Sequence, residues 1–396
     1  MSRPSCPRHA LVPLVALLTL LAPAAAAAQG GAARAALGAA YLRMDAAYAA
    51  ADGGAGIPDS LRGVVNRQFD KATLLFFGGR FAQAIATIDT AYAALIGTAV
   101  AQVTPAALPV PPGGSDRRVR GEAPSAVRAA LEARLGRLDS TGALAQAVAS
   151  AKARAALLVD VPAPDRSAEF LSDPVRLAAE VTREVTALER GTNPYAGRRG
   201  DVWRVLRGEG GVLVPVRVVV PPSRRPLGVL VALHGAGGDE NMFVDAYGAG
   251  VTPRMAAEAN LVLVSPATTA FARSPATLDS LLAVLGREQR IDATRVYLLG
   301  HSMGAGAAAK LAGERPQLVR AAACLAGGAP VTVAGAPPVL FLGAALDPVI
   351  PASRVKAAAT ATPTGTYEER AQEGHTLMVG GGVRRAVPWL VSQPAR

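Results

Sequence analysis

Cysteine is nearly absent from this chain. Its 396 residues hold two, and Cys6 lies ahead of the first apolar run, the wrong side for a lipid-attachment cysteine. If the leader described below is removed, Cys324 stands alone, and no intramolecular disulfide can form even in an oxidising compartment. The strand expected around Ala321–Leu325 buries that thiol as a small hydrophobe. Histidine is almost as scarce, with four copies, and no zinc-type ligand cluster is present. Aromatics make up 4% and charged residues 18%, against 51% hydrophobic residues rich in Ala. That balance excludes wholesale disorder and predicts helices packed closely through small side chains. Beyond the leader, no run is long and apolar enough to span a bilayer, which takes about 20 residues.

The ends and the charge narrow the setting. Arg3, Arg8 and His9 make a basic start, Leu11 to Ala22 an apolar run, and Ala26-Ala27-Ala28 a small-residue cleavage site before Gln29. Residues 1–28 therefore read as a signal peptide, with an uncleaved anchor as the alternative, and predict a secreted or periplasmic protein with no stable membrane insertion. The formal charge is +11, of which Arg3 and Arg8 carry two units. The remaining basic residues are scattered, with pairs at Arg117–Arg118, Arg198–Arg199 and Arg224–Arg225 and no interleaved aromatics. A solvated Arg-rich surface is the reading, not a nucleic-acid site.

Composition changes near residue 200. Residues 29–190 are helical in pattern and 201–396 alternate strand with helix, which suggests an all-α domain ahead of an α/β domain. In the first part Asp59 and Ser60 can cap a helix ending at Gly78-Gly79, and Phe81, Ala84, Ile85, Ile88, Tyr92 and Leu95 recur at helical spacing. Ala72, Gly79, Phe81 and Ala84 are similar to a tetratricopeptide unit, but a single one, so an ordinary helical hairpin is the expectation. Residues 102–124 are rich in Pro, Gly and charge and read as a long loop. Helices over Ala126–Leu138, Ala143–Leu158 and Asp173–Arg190 follow, the last opened by a capping Asp before Pro174. Then come strands at Trp203–Leu206 and Val212–Val220, turned by Gly208 to Gly211. Leu227–Leu233 is a continuous apolar run of the kind buried on both faces. Leu261–Val264, Arg295–Leu299, Ala321–Leu325, Val339–Leu342 and Thr366–Glu369 complete a mostly parallel sheet covered by helices on both faces.

The chemistry gathers in the second part. Gly300-His301-Ser302-Met303-Gly304 fits G-x-S-x-G, between an apolar strand and a small-residue helix. On such a turn the serine backbone is strained, and a side chain at either flanking glycine would collide with its neighbours. Ser302 is therefore the candidate nucleophile. A serine hydroxyl needs a base, and the base needs orienting. His9 leaves with the leader, His301 precedes the serine and is turned away by the elbow, and His234 ends a strand. His375, on a loop after the last strand, remains as the base. Asp347 follows the strand Val339–Leu342 and is the acidic residue between Glu314 and Glu368, so it is the candidate orienting acid. Glu368 or Glu369 is the fallback, and Asp292 reads as a turn residue. The oxyanion needs two backbone donors, for which the amides of Met303 and Ala236 are the candidates, the latter in His234-Gly235-Ala236-Gly237-Gly238.

Together the segment His234–Asn241, the elbow, Asp347 and His375 resemble the α/β-hydrolase superfamily. Within it they are most similar to esterases of the feruloyl-esterase, polyhydroxybutyrate-depolymerase and dienelactone-hydrolase type, and to the catalytic domain of prolyl-oligopeptidase-like enzymes. The likeness covers roughly Asp201 to Pro388 and implies a serine hydrolase that needs no cofactor and acts on a small-molecule or polymer-derived ester. A prolyl-oligopeptidase-like peptidase is the alternative, although no propeller repeat precedes the domain. A binding protein on a hydrolase scaffold is the third reading. The helical part could act as a lid or substrate-selecting wall.

Overall fold

The structure, a computed structural model, describes residues 24–54, 56–99, 119, 121–160 and 173–394. Most of the expected leader, at 1–23, and most of the Pro/Gly-rich stretch at 102–124 lie outside these residues.

Three helices come first. α1 (Ala24–Gly53), α2 (Asp59–Phe77) and α3 (Phe81–Ala99) pack on one another through Met44, Val65, Phe69, Ala72, Ala84, Ile88 and Leu95. Alanines at the contacts let the helices approach closely. The expected turn forms, because Gly79 takes φ +69 and lets the chain leave α2 in the left-handed region. The start of α2 departs from expectation: Pro58 is the N-cap residue and no side chain caps the helix. Asp59 instead sits inside the first turn, where a carboxylate faces the positive end of the helix dipole.

α4 (Pro124–Leu135), α5 (Ala145–Ala155) and α6 (Pro174–Glu189) behave differently. Asp173 caps α6 by accepting from the Arg176 N–H at 2.9 Å, with Pro174 at the first helical position. Leu131, Leu135, Val148, Ala151, Leu177, Val181 and Val185 of these helices belong to the core of the sheet. The six helices are thus two groups in space. The first three surround a core of their own, which takes in Leu377 from far along the chain, while α4 to α6 build onto the sheet.

The remainder supplies the sheet and its cover: β1 (Gly200–Arg207), β2 (Leu213–Val220), β3 (Leu227–Leu233), α7 (Met242–Asp245), α8 (Tyr247–Glu258) and β4 (Leu261–Pro266). Next come α9 (Thr268–Phe271), α10 (Ala276–Glu288), β5 (Ile291–His301), α11 (Met303–Glu314), β6 (Ala321–Leu325) and β7 (Val339–Ala344). α12 (Ala352–Thr360), β8 (Gly365–Arg370) and α13 (Met378–Ser392) close the chain. The strand order is β1-β2-β4-β3-β5-β6-β7-β8, antiparallel through β1, β2 and β4 and parallel from β4 onward. Alternation along the strands splits the core into two faces. Val229, Val231, Leu233, Val296 and Leu298 point to α10, α11 and α12, while Leu230, Ala232, Tyr297 and Leu299 point to α7, α8 and α13. This is an α/β-hydrolase fold. Because β3, β5, β7 and β8 run in one direction, the segments after them emerge along one edge of the sheet. Residues 234–241, 302, 347 and 375 are all in those segments.

Candidate active site

Ser302 stands between the last residue of β5 and the first of α11, with φ 55 and ψ −118. A non-glycine residue in such a conformation costs about 1–3 kcal/mol, which the surroundings must hold in place. They do so through its backbone: the Ser302 N–H donates to Leu325 O at 2.9 Å, and its carbonyl accepts from the Ala305 and Gly306 amides. The flanking glycines are required by contact. A Cβ on Gly300 would overlap the Gly304 carbonyl and lie 2.6 Å from Ala305 N; one on Gly304 would overlap the Leu233 carbonyl and lie 2.7 Å from His234 O. β3, β5 and α11 therefore meet with no space for a methyl group.

The structure brings Ser302, His375 and Asp347 together. Ser302 Oγ lies 3.0 Å from His375 Nε2, and His375 Nδ1 lies 2.7 Å from Asp347 Oδ2. The other carboxylate oxygen of Asp347 accepts from the amides of Val349 at 2.8 Å and Ile350 at 2.9 Å. With the carboxylate accepting a hydrogen bond from Nδ1–H, Nε2 is left with its lone pair toward the serine hydroxyl, the tautomer a base requires. The fallback acids stay apart from this line: Glu368 pairs with Arg385, and Glu369 accepts from the Tyr367 hydroxyl. Asp292 accepts from the Thr294 N–H and holds its own turn.

The candidate oxyanion donors flank the serine. Met303 is the first residue of α11, so its N–H is one of the four at a helix start with no intrahelical acceptor. Ala236 lies exposed in the turn after β3. That turn is pressed against the nucleophile, since a Cβ on Gly235 would sit 3.2 Å from Ser302 Cβ and 2.9 Å from His301 Nδ1. His234 braces it: Nδ1–H donates to Gly235 O at 2.8 Å, and Nε2 accepts from the Thr268 N–H at 3.0 Å. Burial pushes the His234 pKa down, which keeps a neutral ring that can both donate and accept.

The other elbow histidine is not idle. His301 Nε2–H donates to the His375 carbonyl at 2.9 Å, and its Nδ1 accepts from the Tyr247 hydroxyl at 2.8 Å. Burial, reinforced by the nearby His375, holds its pKa well below the usual imidazole range. The elbow does keep it off the serine hydroxyl, but its ring reaches beneath the site and supports the backbone of the base. The Tyr247 hydroxyl also lies 3.4 Å from the Gly235 N–H. A chain of polar contacts thus links the turn after β3 to the His375 loop below the nucleophile.

A second set of residues went unnoticed in the sequence. The Gly374 N–H donates to Asn66 Oδ1 and the His375 N–H to Asp70 Oδ2, both at 2.8 Å. Glu373 accepts from the Tyr48 hydroxyl at 2.9 Å and from Arg62 Nη1 at 2.8 Å. Asp45 of α1 accepts from the amides of Gly248 and Ala249, at the start of α8 beside Tyr247. The Phe76 ring, near the end of α2, abuts Gly237. α2 therefore reaches from the histidine loop to the turn after β3. The sequence signal was Asn66 and Asp70, polar residues one turn apart among Val65, Phe69 and Ala72 on a buried helix face.

Among the described residues, no group of three or more His, Cys, Asp or Glu is placed to hold a metal ion, and no helix is long and apolar enough to cross a membrane. Cys324 is buried in β6 with its thiol toward Ala305 O, and burial pushes its pKa up to about 12.

No family model and no curated protein matches this chain. Among solved structures it is similar to an S-formylglutathione hydrolase from Staphylococcus aureus, at 16% identity over 49% of this chain and 99% of that one, with TM-score 0.40. It is also similar to a hyperthermophilic esterase from Pyrobaculum calidifontis, at 16% identity over 50% and 82% of the two chains, with TM-score 0.39. An S-formylglutathione hydrolase from Agrobacterium tumefaciens shares 18% identity over 50% and 96%, with TM-score 0.40.

Proposed function

We propose that this protein is an exported serine hydrolase that cleaves carboxylic esters through an acyl-enzyme on Ser302. The observation that supports this best is the line of contacts from Ser302 Oγ through His375 to Asp347, with the serine on a left-handed backbone at the head of a helix.

In this reading Ser302 Oγ attacks the ester carbonyl carbon while its proton passes to His375 Nε2. The carbonyl electron pair moves onto the oxygen, and the amides of Met303 and Ala236 receive the oxyanion, each worth about 2.7–4 kcal/mol of barrier. The pair returns to reform the carbonyl, the C–O bond to the alcohol breaks, and His375 gives its proton to the departing oxygen. Water then repeats the sequence: His375 takes its proton, the hydroxyl adds to the acyl carbon, and collapse returns the proton to Ser302 Oγ with release of the acid. Asp347 holds Nδ1–H throughout and stabilises the imidazolium.

Ser302→Ala is expected to lower turnover of a short-chain aryl ester by about 10⁶-fold, the scale seen when a triad serine is removed. Unchanged turnover in a folded variant would end the proposal. Assaying aryl esters beside peptide anilides separates an esterase from a peptidase on the same triad. The export reading rests on Arg3, Arg8, the apolar run from Leu11 to Ala22 and the alanines before Gln29. It predicts an exported form whose N-terminal residue is Gln29, and recovery of the protein only with Met1 attached would overturn it.

A further inference from the structure

We propose that Asp70 and Asn66 of α2 are positioning residues for the reaction, holding the His375 loop so that Nε2 meets Ser302, and that the site is complete only with the N-terminal helices in place. This role rests on the serine-hydrolase reading above.

The His375 loop follows β8, an edge strand of the sheet, and among the described residues no further strand takes its amides. Side chains of α2 take them instead: Asn66 accepts from Gly374 and Asp70 from His375, each at 2.8 Å. The fit leaves no slack, since a Cβ on Gly374 would overlap the Asp70 carboxylate. Preceding residues are held the same way, with Glu373 gripped by Tyr48 and Arg62, and its carbonyl accepting from Leu346 N at 2.9 Å. The base is thus fixed at four points. Its N–H goes to Asp70, its carbonyl to His301, and its two ring nitrogens to Asp347 and Ser302.

Asp70 is an expensive way to hold the His375 loop. It is 1% exposed, and its Oδ1 is buried without a hydrogen-bond partner. Burial pushes its carboxyl up to about 7, opposed by the amides of His375 and Thr376 and by the His375 imidazole. Such a group costs folding free energy instead of supplying it. A purely structural residue would lose activity only as folded protein is lost, whereas a positioning residue loses activity beyond any loss of folded protein.

The test uses the full-length protein carrying Asp70→Ala, Asp70→Asn or Asn66→Ala, with kcat and KM on an aryl ester and thermal unfolding at pH 8. Asp70→Ala is expected to lower kcat by about 10²-fold, the scale of a reacting group displaced by 1 Å. KM is expected to hold, and the variant to stay folded at the assay temperature although the His375 N–H loses its acceptor. Asp70→Asn keeps an acceptor for the His375 N–H and should recover most of kcat. A folded Asp70→Ala with wild-type kcat, or one whose kcat falls only as its folded fraction falls, overturns the role. Should Asp70→Ala not fold, Asn66→Ala decides on the same two readings: kcat down with KM held supports the role, kcat unchanged overturns it. A wild-type protein that neither hydrolyses esters nor reacts with a fluorophosphonate at Ser302 sinks the serine-hydrolase reading and this role with it. Wild-type function matched by every variant sinks the positioning role alone.

Discussion

Ser302 and His375 are 3.0 Å apart and are held in place by opposite means. The serine is fixed by what is near it in sequence. Its strand β5 lies at the centre of the sheet, its helix begins at the next residue, and Gly300 and Gly304 let β3 and α11 close around it. The histidine is fixed by what is far away. Its loop leaves an edge strand that is only partly buried and takes its hydrogen bonds from residues 48 to 70 and from His301. Backbone and sterics set the nucleophile, and distant polar side chains set the base. The first arrangement leaves a local motif in the sequence; the second leaves almost none.

Four substitutions sharpen that contrast, in falling order of effect. Asp347→Asn should keep the fold and lower kcat by about 10⁴-fold, because an amide supports the wrong imidazole tautomer. An aryl-ester assay on the folded variant checks it. Gly304→Ala should cost at least about 3 kcal/mol in urea unfolding, beyond ordinary overpacking, since its Cβ meets the β3 backbone and not a movable side chain. The third effect depends on pH. The Asp70 carboxyl stands at about 7 in the fold, against about 3.9 in an unfolded chain, so the folded state favours its protonated form. The penalty for ionising it grows as pH rises from about 4 and is complete above about 7. Asp70→Asn should therefore gain stability relative to wild type between pH 4 and pH 8 in urea unfolding, and a gap that does not widen contradicts the burial argument. The smallest effect is Gly306→Ala, two residues beyond Gly304 on the same helix, where a Cβ meets nothing within 4 Å. It should stabilise the protein by about 0.8–1 kcal/mol through helix propensity alone. Loss of stability there would mean that the elbow tolerates no change, whatever the space.

The same contrast explains what could be read before the structure. Leu227–Leu233 announced a buried central strand because every residue in it is apolar, and all seven are buried. The elbow and the mostly parallel character of the sheet followed from local pattern, whereas the strand order came only with the structure. His375 and Asp347 were reached by elimination among few candidates, and the structure places both beside Ser302. Asn66, Asp70, Tyr48 and Tyr247 were missed because their partners lie far along the chain, and periodicity reports which face is buried but not against what. For the same reason the sequence did not separate α4 to α6, which join the sheet core, from α1 to α3, which build a core of their own. The cap at Asp59 failed for a local reason, since Pro58 occupies the cap position and the first turn needs no side-chain acceptor to begin.

The most direct measurement is to treat the purified full-length protein with a fluorophosphonate and map the adduct by mass spectrometry. One adduct is expected, on the peptide containing Ser302, and none in Ser302→Ala. An unlabelled wild-type protein, or an adduct on a different serine, would contradict it.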